Sequence, residues 1–307
     1  MSAVEQAAAA LSDRARRDVS IGALTTYRVG GSAALFVTIE TDDDLGAAAK
    51  AARKSGVAVL VVGKGSNLLV ADAGFDGLAL VLGERFSGIA IDGTTVHAGG
   101  GAALPVVARR TAASGLTGFE WAVGVPGSIG GAVRMNAGGH GSDMAATLAR
   151  VRVVDLASGE DGWMPAGTLD LSYRHSSIGP SQLVVEAELA LRRGDAAKAE
   201  AEITSIVRWR RENQPGGQNA GSVFTNPPGD SAGRLIDASG CKGLRLGTAM
   251  VSDKHANFFI ADDGGRADDV VALMHDVRRR VHEVHGLWLE PETRLVGFEN
   301  SRQGIEG

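Results

Sequence analysis

The chain has 307 residues, of which 44% are hydrophobic and 22% are charged, and its formal net charge is −5. These values are typical of a globular protein with about two domains. The weak net acidity argues against nucleic acid as the main partner, and no apolar run has the length of a membrane span. The single cysteine excludes an internal disulfide, and no signal-peptide pattern opens the sequence. We therefore expect a cytoplasmic protein that does not insert into a membrane.

In chain order, the first half of the sequence predicts a small α/β unit followed by short strands. Thr41 is a helix cap, because three acidic residues follow it and favour the positive end of a helix, and Gly56 is the matching stop. The elements predicted here are a helix over 1–18, a helix over 41–54, a buried strand over 57–62, strands between 78 and 98, and a helix over 104–114.

The second half mixes strands and helices in a different order. The run that begins with Gln214 and Pro215 ends a long predicted helix and marks a junction between domains. The elements predicted here are strands over 151–155, 183–191 and 256–260, and helices over 196–213, 232–238 and 266–285. The whole pattern predicts the α+β fold class.

Glycine is the unusual residue, because the chain has 43 and they are clustered rather than periodic. One cluster, residues 63–67, reads Gly-Lys-Gly-Ser-Asn and follows the predicted strand over 57–62, and a second covers residues 124–132. A strand that enters such a turn presents backbone N–H groups to a phosphate. The first cluster has neither the spacing of the phosphate loop of nucleotide hydrolases nor that of the Rossmann fingerprint. One cluster alone is equally consistent with a simple turn, whereas two favour a fold that embraces the pyrophosphate of a dinucleotide.

Three polar residues outside the glycine clusters are candidates for chemistry: Arg174, Ser222 and Glu292. An arginine can hold a carboxylate through two parallel hydrogen bonds. A serine hydroxyl can deliver a proton in a polarising environment, and a glutamate can position or balance such groups. Each also has an ordinary interpretation, as a capped turn for Ser222 and as surface ion pairs for the other two. No cluster of histidines, cysteines and acids has the spacing of a metal site, so no metal is predicted.

The order of the motifs resembles that of the UDP-N-acetylenolpyruvoylglucosamine reductases from about residue 25 to residue 297. The first three motifs alone are shared with the wider family of FAD enzymes related to vanillyl-alcohol oxidase. The motifs that carry the resemblance are Thr26-Tyr27-Arg28-Val29-Gly30-Gly31, Gly63-Lys64-Gly65-Ser66-Asn67-Leu68, Gly124-Val125-Pro126-Gly127-Ser128-Ile129-Gly130-Gly131-Ala132 with Met135-Asn136-Ala137-Gly138, Tyr173-Arg174-His175-Ser176, Ala220-Gly221-Ser222-Val223-Phe224-x-Asn226-Pro227, Ser252-x-Lys254-His255-Ala256-Asn257-Phe258 and Leu289-x-Pro291-Glu292-x-Arg294.

The resemblance implies an FAD enzyme of peptidoglycan synthesis that uses NADPH to reduce UDP-N-acetylglucosamine enolpyruvate to UDP-N-acetylmuramate. It implies that flavin N5 gives a hydride to the substrate, that Arg174 and Glu292 stabilise the enolate, and that Ser222 supplies the proton. The implied fold is a two-subdomain FAD-binding fold of the vanillyl-alcohol oxidase type, followed by a C-terminal α+β substrate domain. The implied divisions are 1–82 joined by 293–307, then 83–200, then 201–292.

The remaining site residues follow from the same resemblance. The implied FAD contacts are Tyr27, Arg28, Gly63, Lys64, Gly65, Ser66, Asn67, Leu68, Gly124, Pro126, Gly127, Ser128, Gly130, Gly131, Ala132 and Asn136. The implied substrate contacts are Tyr173, Arg211, Asn226, Lys254 and His255, with either Arg210 or Arg211 meeting the substrate phosphates. The stretch between Tyr173 and Ser222 has no room for the tyrosine-bearing insertion of some members, which implies the shorter subtype with a more open pocket.

Two other functions stay open at the level of the sequence. Another FAD-dependent oxidoreductase of the same fold would act on a small alcohol or sugar, but it would have no reason to keep Arg174, Ser222 and Glu292 in these settings. The other is a cofactor-holding or nucleotide-sugar-binding protein without catalysis; a colourless preparation that cannot be reconstituted with FAD would contradict both enzyme functions. The sequence does not decide between NADPH and NADH, and it does not report the oligomeric state, for which a monomer is the default expectation.

Overall fold

The structure, a computed structural model, describes residues 1–298. The helices are α1 (Ala3–Leu11), α2 (Asp42–Ser55), α3 (Leu104–Ala113), α4 (Ile129–Met135), α5 (Ala196–Asn213), α6 (Ala232–Ala238) and α7 (Ala267–His285). The strands are β1 (Arg16–Ser20), β2 (Ser32–Ile39), β3 (Val59–Val62), β4 (Leu68–Val70), β5 (Phe75–Leu82), β6 (Ile89–Asp92), β7 (Thr95–Gly99), β8 (Leu116–Thr117), β9 (Gly138–Gly139), β10 (Ser142–Asp143), β11 (Leu148–Asp155), β12 (Asp161–Pro165), β13 (Gln182–Ala190), β14 (Arg192–Arg193), β15 (Arg245–Leu246), β16 (Ala249–Val251), β17 (Phe259–Ala261) and β18 (Arg294–Val296).

The chain divides into two compact units. The first unit consists of Met1–Arg17, Ala34–Lys64 and Gly77–Arg210, and the second of Asp18–Ala33, Gly65–Asp76 and the residues from Arg211 onward. The three-part division implied by the sequence stays a prediction.

Local signals explain α2 well. Thr41 Oγ1 accepts from the N–H of Asp44 at 3.1 Å, and Asp44 Oδ2 accepts from the N–H of Thr41 at 3.0 Å. This reciprocal pair satisfies two donors at the start of the helix. At its other end Gly56 adopts a left-handed φ of 65°, which a glycine does at no steric cost. The predicted helix over 41–54 is therefore confirmed.

The helix predicted over residues 1–18 is wrong in its length. α1 ends at Leu11, Ser12 has a φ of 52°, and the chain continues into β1. The alanine run stops at this point, and the basic residues that follow offer no apolar face to continue the helix. Arg17 instead pairs with Glu5 of α1 at 2.8 Å.

The first unit contains a five-stranded sheet in the order β12-β11-β13-β7-β6. All its neighbouring strands are antiparallel. Its buried face packs with α3 and α4 in one apolar core that includes Val107, Ile129 and Leu189. A four-stranded sheet has the order β1-β2-β5-β3, in which β3 is parallel to β5. The glycine-rich residues around 63 follow β3, and those at 124–131 lead into α4 and form its first turn.

The second unit is built around α7 and short strands. β15, β16 and β17 form an antiparallel sheet, and β18 pairs in parallel with β4. Phe224 and Phe259 meet edge to face in its core, with ring centroids 5.9 Å apart. The strand predicted over 256–260 begins only at Phe259, because the N–H of Phe258 donates to His255 O at 3.0 Å and closes a turn there.

The helices predicted over 196–213 and 232–238 have the predicted bounds, and the predicted α+β class is confirmed. Among the helices of residues 1–298, none is long and apolar enough to cross a membrane.

Candidate active site

The two predicted phosphate-binding clusters approach each other in the first unit. A Cβ built on Gly63 would lie 2.5 Å from Ser128 Oγ, so a side chain at position 63 would displace Ser128. The hydroxyl of Ser128 is itself engaged, because it accepts from the N–H of Gly131 at 3.3 Å and caps α4. The structure thus brings these clusters together at a point where only glycine fits.

The two clusters differ in the donors that they leave available. Within the described chain, the N–H groups of residues 64–66 donate to no acceptor. In the second cluster, by contrast, Gly127 donates to Val125 O at 2.9 Å and Gly130 donates to Gly100 O at 2.8 Å. Free N–H groups on a sharp turn are the donors that a pyrophosphate requires. Residues 64–66 therefore fit FAD, whereas much of the second cluster packs backbone against backbone.

Gly65 belongs to the second unit and packs tightly there. It has a φ of +63°, and a Cβ on it would lie 2.2 Å from Leu24 O. The N–H of Thr26 donates to Gly65 O at 3.0 Å. Tyr27, the next residue, is fully buried, and this burial raises the pKa of its hydroxyl. The structure places Arg28 at the surface with a positive φ, and the FAD contacts of Tyr27 and Arg28 stay predictions.

The segments that bear Ser222 and Glu292 lie side by side in the second unit. The N–H of Glu292 donates to Val223 O at 2.8 Å, so the residue after Ser222 is bonded directly to Glu292. Asn67 adds a third segment, because its Nδ2 donates to Glu292 O at 3.0 Å. Asn67 O in turn accepts from the N–H of Arg294 at 3.1 Å, where β18 begins beside β4. Two predicted catalytic residues and one predicted cofactor residue are thus brought together.

Asn257 is a residue to which the sequence assigned no role. It is 2% exposed, and its side chain binds the main chain of Phe224 twice, with Oδ1 accepting at 3.0 Å and Nδ2 donating at 2.8 Å. Its own carbonyl accepts from the N–H of Val223 at 2.8 Å. Asn257 therefore holds the segment that follows Ser222. An asparagine inside an apolar run must find buried partners, and this was the signal available in the sequence.

The predicted substrate residues of the second unit have local partners. His255 Nδ1 accepts from the N–H of Asn257 at 3.2 Å, and burial, aided by the charge of Lys242, lowers the pKa of His255 against a smaller opposing effect of its own backbone. Lys254 Nζ donates to Arg211 O at 2.6 Å, which brings two predicted substrate residues together. Asn226 Oδ1 accepts from the N–H of Ala232 at the start of α6, at 3.0 Å.

Arg174 lies in the first unit on a tight turn. Ser172 and His175 exchange both backbone hydrogen bonds at 3.1 Å, and Arg174 sits inside this turn with a φ of 56°. Its Nη2 donates to Gly138 O at 3.1 Å. Its guanidinium carbon lies 5.1 Å from the ring centroid of Tyr173, which is 57% exposed. The turn presents a cation and a flat aromatic ring together.

The other predicted residues of the first unit surround α4. Gly124 lies against the ring of His140, since a Cβ on it would be 3.0 Å from that ring. Burial, together with the charge of Arg210, lowers the pKa of His140. Asn136 follows the last residue of α4 and is buried. Of the remaining predicted FAD residues, Pro126 lies in the loop before α4 and Ala132 within α4, whereas Leu68 lies in β4 of the second unit.

Comparison with known proteins decides the family. The profile of the C-terminal domain of UDP-N-acetylenolpyruvoylglucosamine reductase matches residues 213–296, and that of an FAD binding domain matches residues 33–161. The UDP-N-acetylenolpyruvoylglucosamine reductase of Synechococcus sp. (strain RCC307) is 41% identical over 293 residues, covering 94% of this chain and 96% of the relative. The chain belongs to the UDP-N-acetylenolpyruvoylglucosamine reductase family.

Further relatives agree with this assignment. The UDP-N-acetylenolpyruvoylglucosamine reductase of Heliobacterium modesticaldum (strain ATCC 51547 / Ice1) is 42% identical over 276 residues, covering 89% of this chain and 88% of the relative. The crystal structure of the reductase from Thermus caldophilus superposes with a TM-score of 0.81 at 36% identity, covering 92% of this chain and 99% of that one. The predicted family and the predicted class, an FAD-dependent oxidoreductase, are confirmed, and the alcohol or sugar oxidoreductase is not favoured.

Proposed function

We propose that the chain reduces UDP-N-acetylglucosamine enolpyruvate to UDP-N-acetylmuramate with electrons from NADPH, and that Arg174, Ser222 and Glu292 act on the substrate. The observation that carries the proposal is the direct pairing of the segments with Ser222 and Glu292, through the 2.8 Å hydrogen bond from Glu292 N to Val223 O. This pairing supports a shared task for a hydroxyl and a carboxylate that lie 70 positions apart in the sequence, 222 against 292. Bound FAD would supply hydride transfer between NADPH and the substrate.

The first glycine cluster would hold the cofactor. The N–H groups of residues 64–66 point to no acceptor of the described chain, and they would donate to the pyrophosphate. Gly63 permits the close approach, since a larger residue would collide with Ser128. This arrangement uses backbone dipoles rather than a charged side chain to balance the phosphates.

Arg174 stabilises the negative charge that builds toward the substrate carboxylate. A guanidinium matches a carboxylate with two parallel hydrogen bonds. Its orientation is set in advance by the bond from Nη2 to Gly138 O at 3.1 Å. A cation fixed before the reaction spends no energy on reorganisation when the charge develops. Arg174 therefore lowers the barrier to addition of the hydride.

Ser222 gives the proton that completes the reduction. A serine hydroxyl is a poor acid in water, but it can protonate a strongly basic enolate carbon beside it. The backbone of Ser222 is held by a bridge to Phe258 and by the two bonds of Asn257 to Phe224. Glu292, fixed by its own N–H to Val223, balances the charge around this hydroxyl.

Anaerobic stopped-flow absorbance tests the proposal by separating the two half-reactions. Ser222→Ala should leave reduction of FAD by NADPH nearly unchanged and slow reoxidation by the enolpyruvyl substrate by about 10²–10⁴-fold. Ser239→Ala is the matched control, because Ser239 also lies in the second unit and its hydroxyl donates to Leu235 O at the end of α6, at 2.8 Å. An equal loss in both half-reactions would remove Ser222 from the role of proton donor.

We also propose that the enzyme works in the cytoplasm as a monomer. Its single cysteine, Cys241, is buried, which agrees with a compartment that forms no disulfides. Three of the exposed large apolar side chains, those of Val106, Trp163 and Val284, lie on different elements, α3, β12 and α7. Light scattering after size exclusion should give about the chain mass of 31.6 kDa, whereas twice that mass would contradict the monomer.

A further inference from the structure

Asn136 stands between α4 and the turn that bears Arg174. It is 2% exposed, and its φ of 38° places it in the left-handed region directly after Met135. Asparagine is one of the few residues other than glycine that adopt this conformation readily, and it ends helices in this way. The backbone geometry therefore explains a small polar residue at this position, but it does not explain what the buried amide does.

Both N–H donors of the Asn136 side-chain amide form hydrogen bonds. Its Nδ2 donates to Ser172 O at 2.9 Å and to Asp143 Oδ2 at 3.2 Å. Its Oδ1 accepts from the N–H of Ala145 at 2.9 Å. An asparagine amide has two N–H donors, and both are used here. The FAD contact predicted for Asn136 would have to use the second lone pair of Oδ1.

The partners of Asn136 form the base from which Arg174 extends. Ser172, which accepts from the amide, exchanges both backbone hydrogen bonds with His175 and so closes the turn around Arg174. The guanidinium then donates to Gly138 O, two residues after Asn136. Asn136 thus fixes the main chain at the base of the turn and also leads into the residue that receives the guanidinium.

We infer that Asn136 is a positioning residue for Arg174, holding the turn from which the guanidinium reaches the substrate. This inference rests on the role proposed for Arg174 in the reaction. It assigns to Asn136 a task in the second half-reaction, whereas a cofactor contact would matter to FAD binding and to both half-reactions.

Two substitutions test the effect of the Asn136 side chain separately from the effect of its backbone conformation. Asn136→Gly keeps the left-handed φ and removes the amide. Asn136→Asp keeps a short polar residue and the acceptor for Ala145, but it loses both donors and faces the carboxylate of Asp143. Both should slow reoxidation of FAD by the substrate by about 10–100-fold, the effect of a misplacement of about 1 Å, and leave reduction by NADPH within about twofold. If one variant fails to fold, the other still decides.

A double-mutant cycle with Arg174→Ala shows whether the effect passes through the arginine. Coupled residues give non-additive losses. In the Arg174→Ala background, Asn136→Gly should therefore slow reoxidation of FAD by less than about a further threefold. Full additivity would overturn the inference. If Arg174→Ala itself leaves reoxidation unchanged, the proposed role of Arg174 fails instead, and the two failures are thereby distinguishable.

Hydrogen exchange in the flavin-free protein gives a readout that does not depend on activity. The N–H of His175 donates to Ser172 O, and the N–H of Ser177 donates to Leu169 O. Both should exchange at least tenfold faster in Asn136→Gly, while the amides of α7 keep the parent rates. Unchanged protection of the turn, or loss of FAD retention with both half-reactions slowed equally, would overturn the inference.

Discussion

Asparagine side chains bind the main chain beside Ser222 and Glu292, two of the residues proposed to act on the substrate. Asn67 donates to Glu292 O, and Asn257 binds both backbone groups of Phe224, two residues after Ser222. An amide can donate and accept at once, so it can replace a strand partner where no strand passes. The main chain around Ser222 and Glu292 is thus held by side-chain amides from other segments of the second unit.

Asn257 should be important to stability as well as to position. Asn257→Ala leaves the N–H and C=O of Phe224 buried without these partners, and each unsatisfied group costs about 1–3 kcal/mol. Urea unfolding should show a loss of about 2–4 kcal/mol in the free energy of unfolding. Glu212→Ala, at an exposed position of α5 in the second unit, is the control and should change it by less than about 0.5 kcal/mol. A parent-like midpoint for Asn257→Ala would contradict this role.

Gly63 should be indispensable for keeping the flavin. In Gly63→Val the side chain would enter the space of Ser128 Oγ, 2.5 Å from the Cβ position. We expect the purified variant to lose most of its visible flavin absorbance, because the site would no longer retain the cofactor. Gly46→Ala is the control, because a Cβ there meets nothing within 4 Å. A Gly63→Val preparation as yellow as the parent would show that position 63 does not border the cofactor.

At the level of elements, α7 begins without a cap of its own. Arg266, at the cap position, makes no side-chain capping bond. Asp72 takes over, since its carboxylate accepts from the N–H groups of Ala267 and Asp268 at 3.0 and 3.2 Å and lies 3.4 Å from Arg266. A carboxylate at the positive end of a helix satisfies orphan donors and favours the dipole.

Removing this remote cap should destabilise the second unit. Asp72→Ala is expected to lower the free energy of unfolding by about 1–2 kcal/mol, and Asp72→Asn should lose less because an acceptor remains. Asp76→Ala, at an exposed position on the same stretch, should have no measurable effect. Thermal unfolding that places Asp72→Ala and Asp76→Ala at the same midpoint would refute the cap.

The elements also show what a sequence can and cannot reveal. α2 is predictable because Thr41, Asp44 and Gly56 act within the element itself. The remote cap of α7 is not, since Asp72 lies 195 positions from Ala267. The same holds for the site: the motifs identify Ser222 and Glu292, but Asn67 meets Glu292 across 225 positions. Local propensity carries no information about such pairs, which depend on the folded chain.

At the scale of the whole molecule, histidines whose pKa is lowered in the fold make the protein sensitive to acid. Burial is the largest cause that lowers the pKa of His140, His255 and His275. A nearby positive charge also lowers each pKa, and only at His255 does a backbone hydrogen bond oppose the change. The folded state therefore favours the neutral rings, while the unfolded chain takes up protons at a pH of about 6.5. The stabilisation that comes from keeping these rings neutral is fully present above that pH. It is lost as the pH falls from there toward the lowered pKa values of the folded state.

The melting temperature should accordingly fall between pH 7.5 and pH 5. His255→Asn removes one titrating ring and keeps an acceptor where Nδ1 receives the N–H of Asn257. The melting temperature of this variant should fall less over the same pH range than that of the parent. An identical pH slope for parent and variant would show that His255 is not among the responsible groups.

α4 joins two parts of the proposed machinery through seven residues, Ile129–Met135. Ser128, beside Gly63, precedes its first residue, while Arg134 O receives the hydroxyl of Ser176 at 2.7 Å and Asn136 holds the turn of Arg174. Each helical residue advances about 1.5 Å and turns about 100°. Inserting or deleting one residue in α4 would therefore swing the arginine turn by about 100° relative to the phosphate cluster. The length of this helix is therefore fixed by the chemistry at its two ends.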